Sequence, residues 1–288
     1  MTAGDLPAGF WIFAAGLVGL AVGSFLNVVV YRLPRMLERR WRADAHATLH
    51  PDDELPQAER FDLVVPRSRC PACGHAIAWW ENIPLLGYAL LRGRCSACGS
   101  RISPRYPLVE FATALLSAAV IWRWGPGWDG VAGTALLWAL IALALIDFDT
   151  TLLPDDITLP LLWSGLLVSA MLHPDRLAGA VWGAAIGYVS LWTVYQGFKL
   201  LTGKEGMGFG DFKLLAALGA WFGATALLPI ILLSSICGAV VGIALQLLKV
   251  TERGRPIPFG PFLAAAGIAM LFIGPQPLAR YLLPGVGT

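Results

Sequence analysis

A succession of apolar runs dominates the sequence and leaves few folds open to it. The first extends from Phe10 to about Tyr31. Others follow at about 107–123, 131–149, 157–173, 177–199, 211–224, 226–249 and 258–280. At 1.5 Å per helical residue, most of these runs can cross the ~30 Å hydrocarbon core of a bilayer. Backbone polar groups inside lipid must be satisfied within the chain, so each run is read as a helix. The sequence predicts an all-α polytopic membrane protein with about eight transmembrane helices and a small cytoplasmic zinc-ribbon-like segment. Composition agrees: 57% of residues are hydrophobic and only 14% charged, which excludes an ordinary soluble domain. A net charge of +2 gives no reason to expect a nucleic-acid partner; membrane lipid is the expected surroundings.

The chain divides into a first span at 1–33, a polar segment at 34–106 and a seven-helix membrane domain at 107–288. No cationic stretch precedes the first run, which is too long for a signal peptide and is read as a retained helix. It is expected to end at Arg32-Leu33-Pro34, with a separate basic amphipathic helix from Pro34 to about Asp53 lying on the headgroups. Gly16, Gly19 and Gly23 in the first run, and Gly179, Gly183 and Gly187 in the fifth, suit close helix packing. The polar segment holds 11 of the 21 Lys and Arg residues. Basic residues favour the cytoplasmic side, which puts this segment in the cytoplasm, with Arg123, Arg176, Arg280 and both termini outside.

Within that segment, Cys70-Pro-Ala-Cys73 and Cys95-Ser-Ala-Cys98 are two CxxC pairs, each followed by glycine. Four thiolates at this spacing suit tetrahedral zinc with no position left for a catalytic water. The expected role is structural, because a small polar segment gains much of its stability from a metal. His46, His50 and His75 are read as solvated. Cys237 is read as a small apolar residue within a span.

Two carboxylates lie at the ends of apolar runs. Asp147 ends the run Leu136–Ile146 and opens the string IDFDTTLLPDDIT. Asp211 follows three alternating glycines, Gly206, Gly208 and Gly210. An ionisable group at a membrane boundary marks a functional site. Two carboxyls sharing a site cannot both ionise cheaply, so one can activate water while the other, protonated, polarises a peptide carbonyl. The glycines would let an extended substrate approach. Asp211 is expected near a helix N-terminus and Asp147 near a C-terminus, which favours Asp211 as base and Asp147 as acid. Asp155 or Asp156 is expected to cap the next helix. Lys213 is expected to pair with Asp211 or with lipid phosphate.

At these residues the chain resembles the type IV prepilin peptidases of type IV pili and type II secretion. The likeness runs through Gly23–Pro34, both cysteine pairs, Glu81–Leu85, Arg105–Glu110, the Asp147–Asp155 string and Gly206–Asp211. It implies a bifunctional inner-membrane enzyme with its active site facing the cytoplasm. Asp147 and Asp211 would cut the basic leader from prepilins and pseudopilins after glycine. The new N-terminus would then be methylated from S-adenosylmethionine. The sequence carries no Rossmann-type glycine fingerprint. Glu81, Asn82, Gly93 and Arg94 are the candidates for the methyl-donor site, and no motif sets an oligomeric state. Two other readings are a transporter with proton-carrying aspartates and a scaffold that anchors a zinc ribbon to a secretion complex.

Overall fold

The computed structural model describes residues 6–51, 60–248 and 257–274. It is helical, and the chain forms two compact units, Met1–Gly125 and Pro126–Thr288. Among the described residues, five helices are long and apolar enough to cross a membrane.

In the first unit, α1 runs without interruption from Ala8 to Leu49. This corrects the expected break at Pro34, which lies inside the helix. At 42 residues α1 is about 63 Å long, roughly twice the bilayer core. Its second half is therefore a continuation of the span and not a separate helix on the headgroups. The far end of that predicted helix, near Asp53, lies outside the described residues. α1 packs on α3, Arg105–Trp124, and the glycines explain how closely. A β-carbon at Gly19 would stand 2.8 Å from the Ala114 Cα, and one at Gly23 would stand 2.7 Å from the Glu110 Cα. Gly16 makes only ordinary contact, 3.9 Å from the Ala118 β-carbon. Asn27 donates to the carbonyl of Tyr106 at 3.2 Å and fixes the register. The division expected at residue 106 thus falls at the start of a helix that packs with α1. Between the two lie the cysteine-bearing loops and a short helix, α2, Leu86–Leu90. Glu110, buried in α3, accepts the N–H of Leu85 at 2.8 Å and anchors α2.

The second unit holds α4 (Trp128–Thr150), α5 (Asp155–Leu172), α6 (Leu177–Thr202), α7 (Phe209–Phe222), α8 (Leu227–Leu247) and α9 (Gly260–Ile273). Of the expected span 258–280, positions 275–280, Arg280 among them, lie outside the described residues. α7 is the axis of this unit. From Asp211 to Ala220 every residue except Lys213 is buried, and α5, α6 and α9 pack around it. Its 14 residues reach about 21 Å, too short to span a bilayer core end to end. Packing against α6 is backbone to backbone: a β-carbon at Gly183 would lie 2.2 Å from the Gly219 carbonyl oxygen. Gly187 meets the Leu215 carbonyl in the same way, at 2.8 Å. Gly179, expected in the same row, has nothing within 4 Å of such an atom. On the other side, the Trp221 indole N–H donates to the Leu161 carbonyl of α5 at 2.8 Å.

Candidate active site and metal centre

α7 begins with Gly208 as its N-cap, so Asp211 falls in the first turn. In that position its carboxyl can turn back toward the free backbone N–H groups of the helix start, and the Gly208 N–H acts on it. Three aromatic rings hold this turn in place. Tyr195 of α6 lies 5.5 Å from Phe209 and 5.7 Å from Phe212, centroid to centroid. Lys199 and Glu205 pair at 2.8 Å across the loop that leads into the turn.

Asp147 lies in the last turn of α4. Thr151 follows in the left-handed region, φ 55°, and its N–H donates to the Asp147 carbonyl at 2.8 Å. The chain then turns through Leu153 and Pro154 into α5. Both aspartates are buried, at 5% exposure for Asp147 and 8% for Asp211. Their carboxyls are close enough to interact electrostatically. The Gly260 N–H acts on the Asp147 carboxylate, yet Oδ2 is buried with no hydrogen-bond partner. An unsatisfied buried carboxylate oxygen is costly and marks a group that waits for a proton, a water or a substrate.

The three glycines before Asp211 differ in use. A β-carbon at Gly206 would stand 2.8 Å from the Phe198 ring, and one at Gly210 would stand 2.7 Å from the Leu153 β-carbon. Both spaces are filled by the protein's own side chains. At Gly208 the nearest atom is the Gly210 nitrogen at 4.0 Å, so that face is open.

The acidic string also resolves differently from expectation. Pro154 is the N-cap of α5, and Asp155 and Asp156 are its first two residues, so neither is the cap. Lys213 pairs with Asp155, at 2.7 Å to each oxygen, and not with Asp211. Gly260 escaped the sequence reading, and Leu153 entered it only as part of the Asp147–Asp155 string. Gly260-Pro261 does signal a helix start, since proline is favoured in a first turn. Nothing local to it predicts that it faces Asp147.

In the first unit the two cysteine pairs form matching turns. Gly74 N–H donates to the Cys70 carbonyl and Gly99 N–H to the Cys95 carbonyl, each at 2.9 Å. Both glycines are left-handed, φ 75° and 70°, which is why a glycine follows each pair. The four sulfurs lie within 4.8 Å of one another and form no disulfide. Cys70 and Cys98 approach to 3.9 Å and Cys73 and Cys95 to 4.0 Å. Four sulfurs at about 2.3 Å from a tetrahedral zinc would stand about 3.8 Å apart, so the cluster fits a metal. His75 lies beside it: its Nε2 is 3.4 Å from the Ser96 hydroxyl and 3.5 Å from Glu81.

Of the methyl-donor candidates, Glu81 accepts the Ala78 N–H at 2.7 Å. The Ser96 hydroxyl, and after it that bond, holds its carboxyl below the ordinary range. Asn82 is exposed. Gly93 and Arg94 line a cavity of about 500 Å³ together with Tyr88, Arg92 and Arg101. A β-carbon at Gly93 would stand 2.9 Å from the Tyr88 ring.

Comparison with known proteins agrees along the chain. Residues 17–124 match the family described as Bacterial Peptidase A24 N-terminal domain, and residues 134–243 match the Type IV leader peptidase family. Among curated relatives, one from Aeromonas hydrophila is 54% identical over 266 residues, covering 92% of each chain. One from Pseudomonas aeruginosa is 54% identical over 92% of this chain and 91% of its own. One from Burkholderia pseudomallei is 50% identical over 93% and 87%. Each is described as a prepilin leader peptidase/N-methyltransferase. No solved structure matches the chain. With likeness of this depth over nearly its whole length, the chain belongs to the type IV leader peptidase family.

Proposed function

We propose that this protein is a prepilin leader peptidase and N-methyltransferase of the bacterial inner membrane, with Asp147 and Asp211 as its peptidase pair. The observation that carries the reading is the burial of two carboxyls at the ends of α4 and α7, 5% and 8% exposed, one with an oxygen that has no hydrogen-bond partner. Two such groups share one proton. The ionised member activates water against the scissile carbonyl, and the protonated member donates to its oxygen. Asp211, in the first turn of α7, is favoured as base by the helix N-terminus, and Asp147, in the last turn of α4, as acid. The open face at Gly208 is where an extended substrate backbone fits. A prepilin or pseudopilin, with a basic leader before an apolar helix, would lie with that helix in the lipid and its cut site at the cytoplasmic boundary.

The four cysteines would hold one structural zinc, with all positions filled by protein and no step of catalysis through it. S-adenosylmethionine supplies an electrophilic methyl group when bound. Gly93 and Arg94, in the cavity beside Tyr88, are the proposed contacts to it, and a volume of about 500 Å³ suits a ligand of that size. Asn82 is a further contact. Glu81, which accepts the Ala78 N–H, is the remaining candidate contact. The residues' task is to hold the freed amine neutral and oriented.

The deciding experiment is cleavage of a prepilin in detergent by wild type, Asp147→Asn and Asp211→Asn. Both variants should be inactive while remaining folded. Cleavage surviving in either removes the pair, and proton flux without cleavage would favour a transporter. Gly93 and Arg94 variants should keep cleavage and lose N-methylation. Loss of both activities together would remove the separate donor site.

A further inference from the structure

Lys213 is the one residue between Asp211 and Ala220 that is not buried, and its ammonium is committed to Asp155. The two residues come from different helices. Asp155 is the first residue of α5, directly after the turn that descends from Asp147. Lys213 is two positions beyond Asp211 in the first turns of α7. The pair is bidentate, 2.7 Å to each carboxylate oxygen.

A second contact ties the same two pieces together. Leu153 is buried against Gly210, where a β-carbon would stand 2.7 Å from its own. The linker 151–155 is thus fastened to α7 on both sides of Asp211, at 210 and at 213. Its other end is fixed to α4 through the Thr151 N–H on the Asp147 carbonyl, at 2.8 Å. A shift of the linker would therefore move the end of one aspartate-bearing helix against the start of the other.

We propose that Asp155 and Lys213 form a clamp that sets the separation of the Asp147 and Asp211 carboxyls, and so act as positioning residues for peptide cleavage. The inference rests on reading those two aspartates as the peptidase pair. The pair has a second consequence. An ammonium two residues from Asp211 has a flexible four-carbon stem, and residues two apart on a helix do not face each other. Without Asp155 the Lys213 ammonium loses its partner and the linker 151–155 loses its tie to α7 at position 213.

The test is steady-state cleavage of a prepilin by the full-length, zinc-loaded protein in detergent. It compares wild type, Asp155→Asn, Lys213→Met, Asp155→Glu, the charge swap Asp155→Lys/Lys213→Asp, and Asp147→Asn. A displacement of about 1 Å at a reacting group can cost on the order of a hundredfold. Asp155→Asn and Lys213→Met should each lower kcat by about tenfold to a hundredfold with KM little changed. Asp155→Glu and the charge swap should recover most of it. The two side chains keep 51% and 29% of their exposure, so added salt should lower kcat in wild type and leave the neutralised variants flat. Full kcat in Asp155→Asn beside an inactive Asp147→Asn would overturn the clamp and leave the aspartate pair standing. A loss that tracks loss of folded protein and is not recovered by the swap would also overturn it. Cleavage by Asp147→Asn would remove the pair and the clamp together.

Discussion

Gly260 leaves no room for a side chain beside Asp147: a β-carbon there would stand 2.5 Å from Oδ2 and 3.0 Å from Cγ. The start of α9 is in this way a wall of the proposed peptidase site. Gly260→Ala forces the carboxyl to rotate or α9 to withdraw, and Leu153, 3.2 Å away, blocks part of the retreat. Since the aspartate is the softer partner, the chief expected effect is on turnover. Cleavage should fall by about tenfold to a hundredfold while the detergent-solubilised protein keeps its melting temperature within a few degrees. A variant with full kcat would show that α9 does not border the reacting groups.

Gly208 offers the reverse case, an open position. Gly206 and Gly210 have their free space taken by Phe198 and Leu153, whereas nothing lies closer than 4.0 Å at Gly208. Gly208→Val should therefore leave folding nearly intact and hinder the approach of substrate, seen as a lower kcat/KM at unchanged thermal stability. Gly210→Ala should do the opposite and destabilise, because its new methyl meets a buried leucine. Equal loss of folded protein in both would assign Gly208 to packing.

What the sequence made legible follows from how local each signal is. The cysteine turns could be read because each is a local pattern, a CxxC pair with a glycine directly behind it. Asp147 and Asp211 stood out as a pair: each alone can be read as a helix-end charge, but two carboxylates that each adjoin an apolar run are costly at a membrane boundary. Pro34 misled because a proline inside a helix normally breaks it, yet α1 continues through it. Its second half is tied down by tertiary contacts such as that of Arg39 over the Phe61 ring at 4.1 Å. The Asp155–Lys213 pair and the Gly260–Asp147 contact join residues 58 and 113 positions apart, and no local pattern encodes such distances.

The glycine row of α6 gives a graded test of helix packing. Gly183 sits on the Gly219 carbonyl at 2.2 Å from an added β-carbon, while Gly179 in the same row meets nothing. Gly183→Ala must push α6 off α7 and should cost about 1–3 kcal/mol of stability or more. Gly179→Ala should lie within about 0.5 kcal/mol of wild type. Thermal unfolding of the two variants in the same detergent makes the comparison, and equal effects would mean that the backbones do not meet at Gly183.

Metal removal addresses the first unit alone. The Cys70–Cys98 and Cys73–Cys95 separations of 3.9 and 4.0 Å match a closed tetrahedral site. Elemental analysis should find one zinc per chain. A strong chelator should strip amide protection from the turns around Cys70 and Cys95 and leave α4 to α8 unchanged. Cys73→Ser should reproduce that pattern without chelator, because three ligands hold zinc less tightly than four. Protection that persists without metal would assign the fold of these turns to Glu81 and its neighbours.

A pH prediction comes from the turn that clasps α1. The Val64 and Val65 N–H groups donate to Asp62 Oδ1, each at 2.7 Å, and Arg60 pairs with Oδ2 at 2.6 Å. The backbone of that turn in turn serves Arg32, which is 7% exposed. Arg32 donates from Nη1 to the Asp62 carbonyl at 2.9 Å and from Nη2 to the Pro66 carbonyl at 2.6 Å. The two N–H groups, chiefly that of Val65, hold the Asp62 carboxyl at about 2, below its ordinary 3.8. A depressed carboxyl stabilises the fold above its unfolded value, and the benefit disappears as pH falls through the folded one. The turn should thus keep its amide protection at Val64 and Val65 down to pH 3.8 and lose it only toward pH 2. Asp62→Ala should abolish that protection at every pH and expose the buried Arg32 to water, since its carbonyl partners are no longer held. Hydrogen exchange resolved at these two amides reads the outcome. Protection in Asp62→Ala equal to wild type would mean that Arg32, and not the carboxylate, organises the turn.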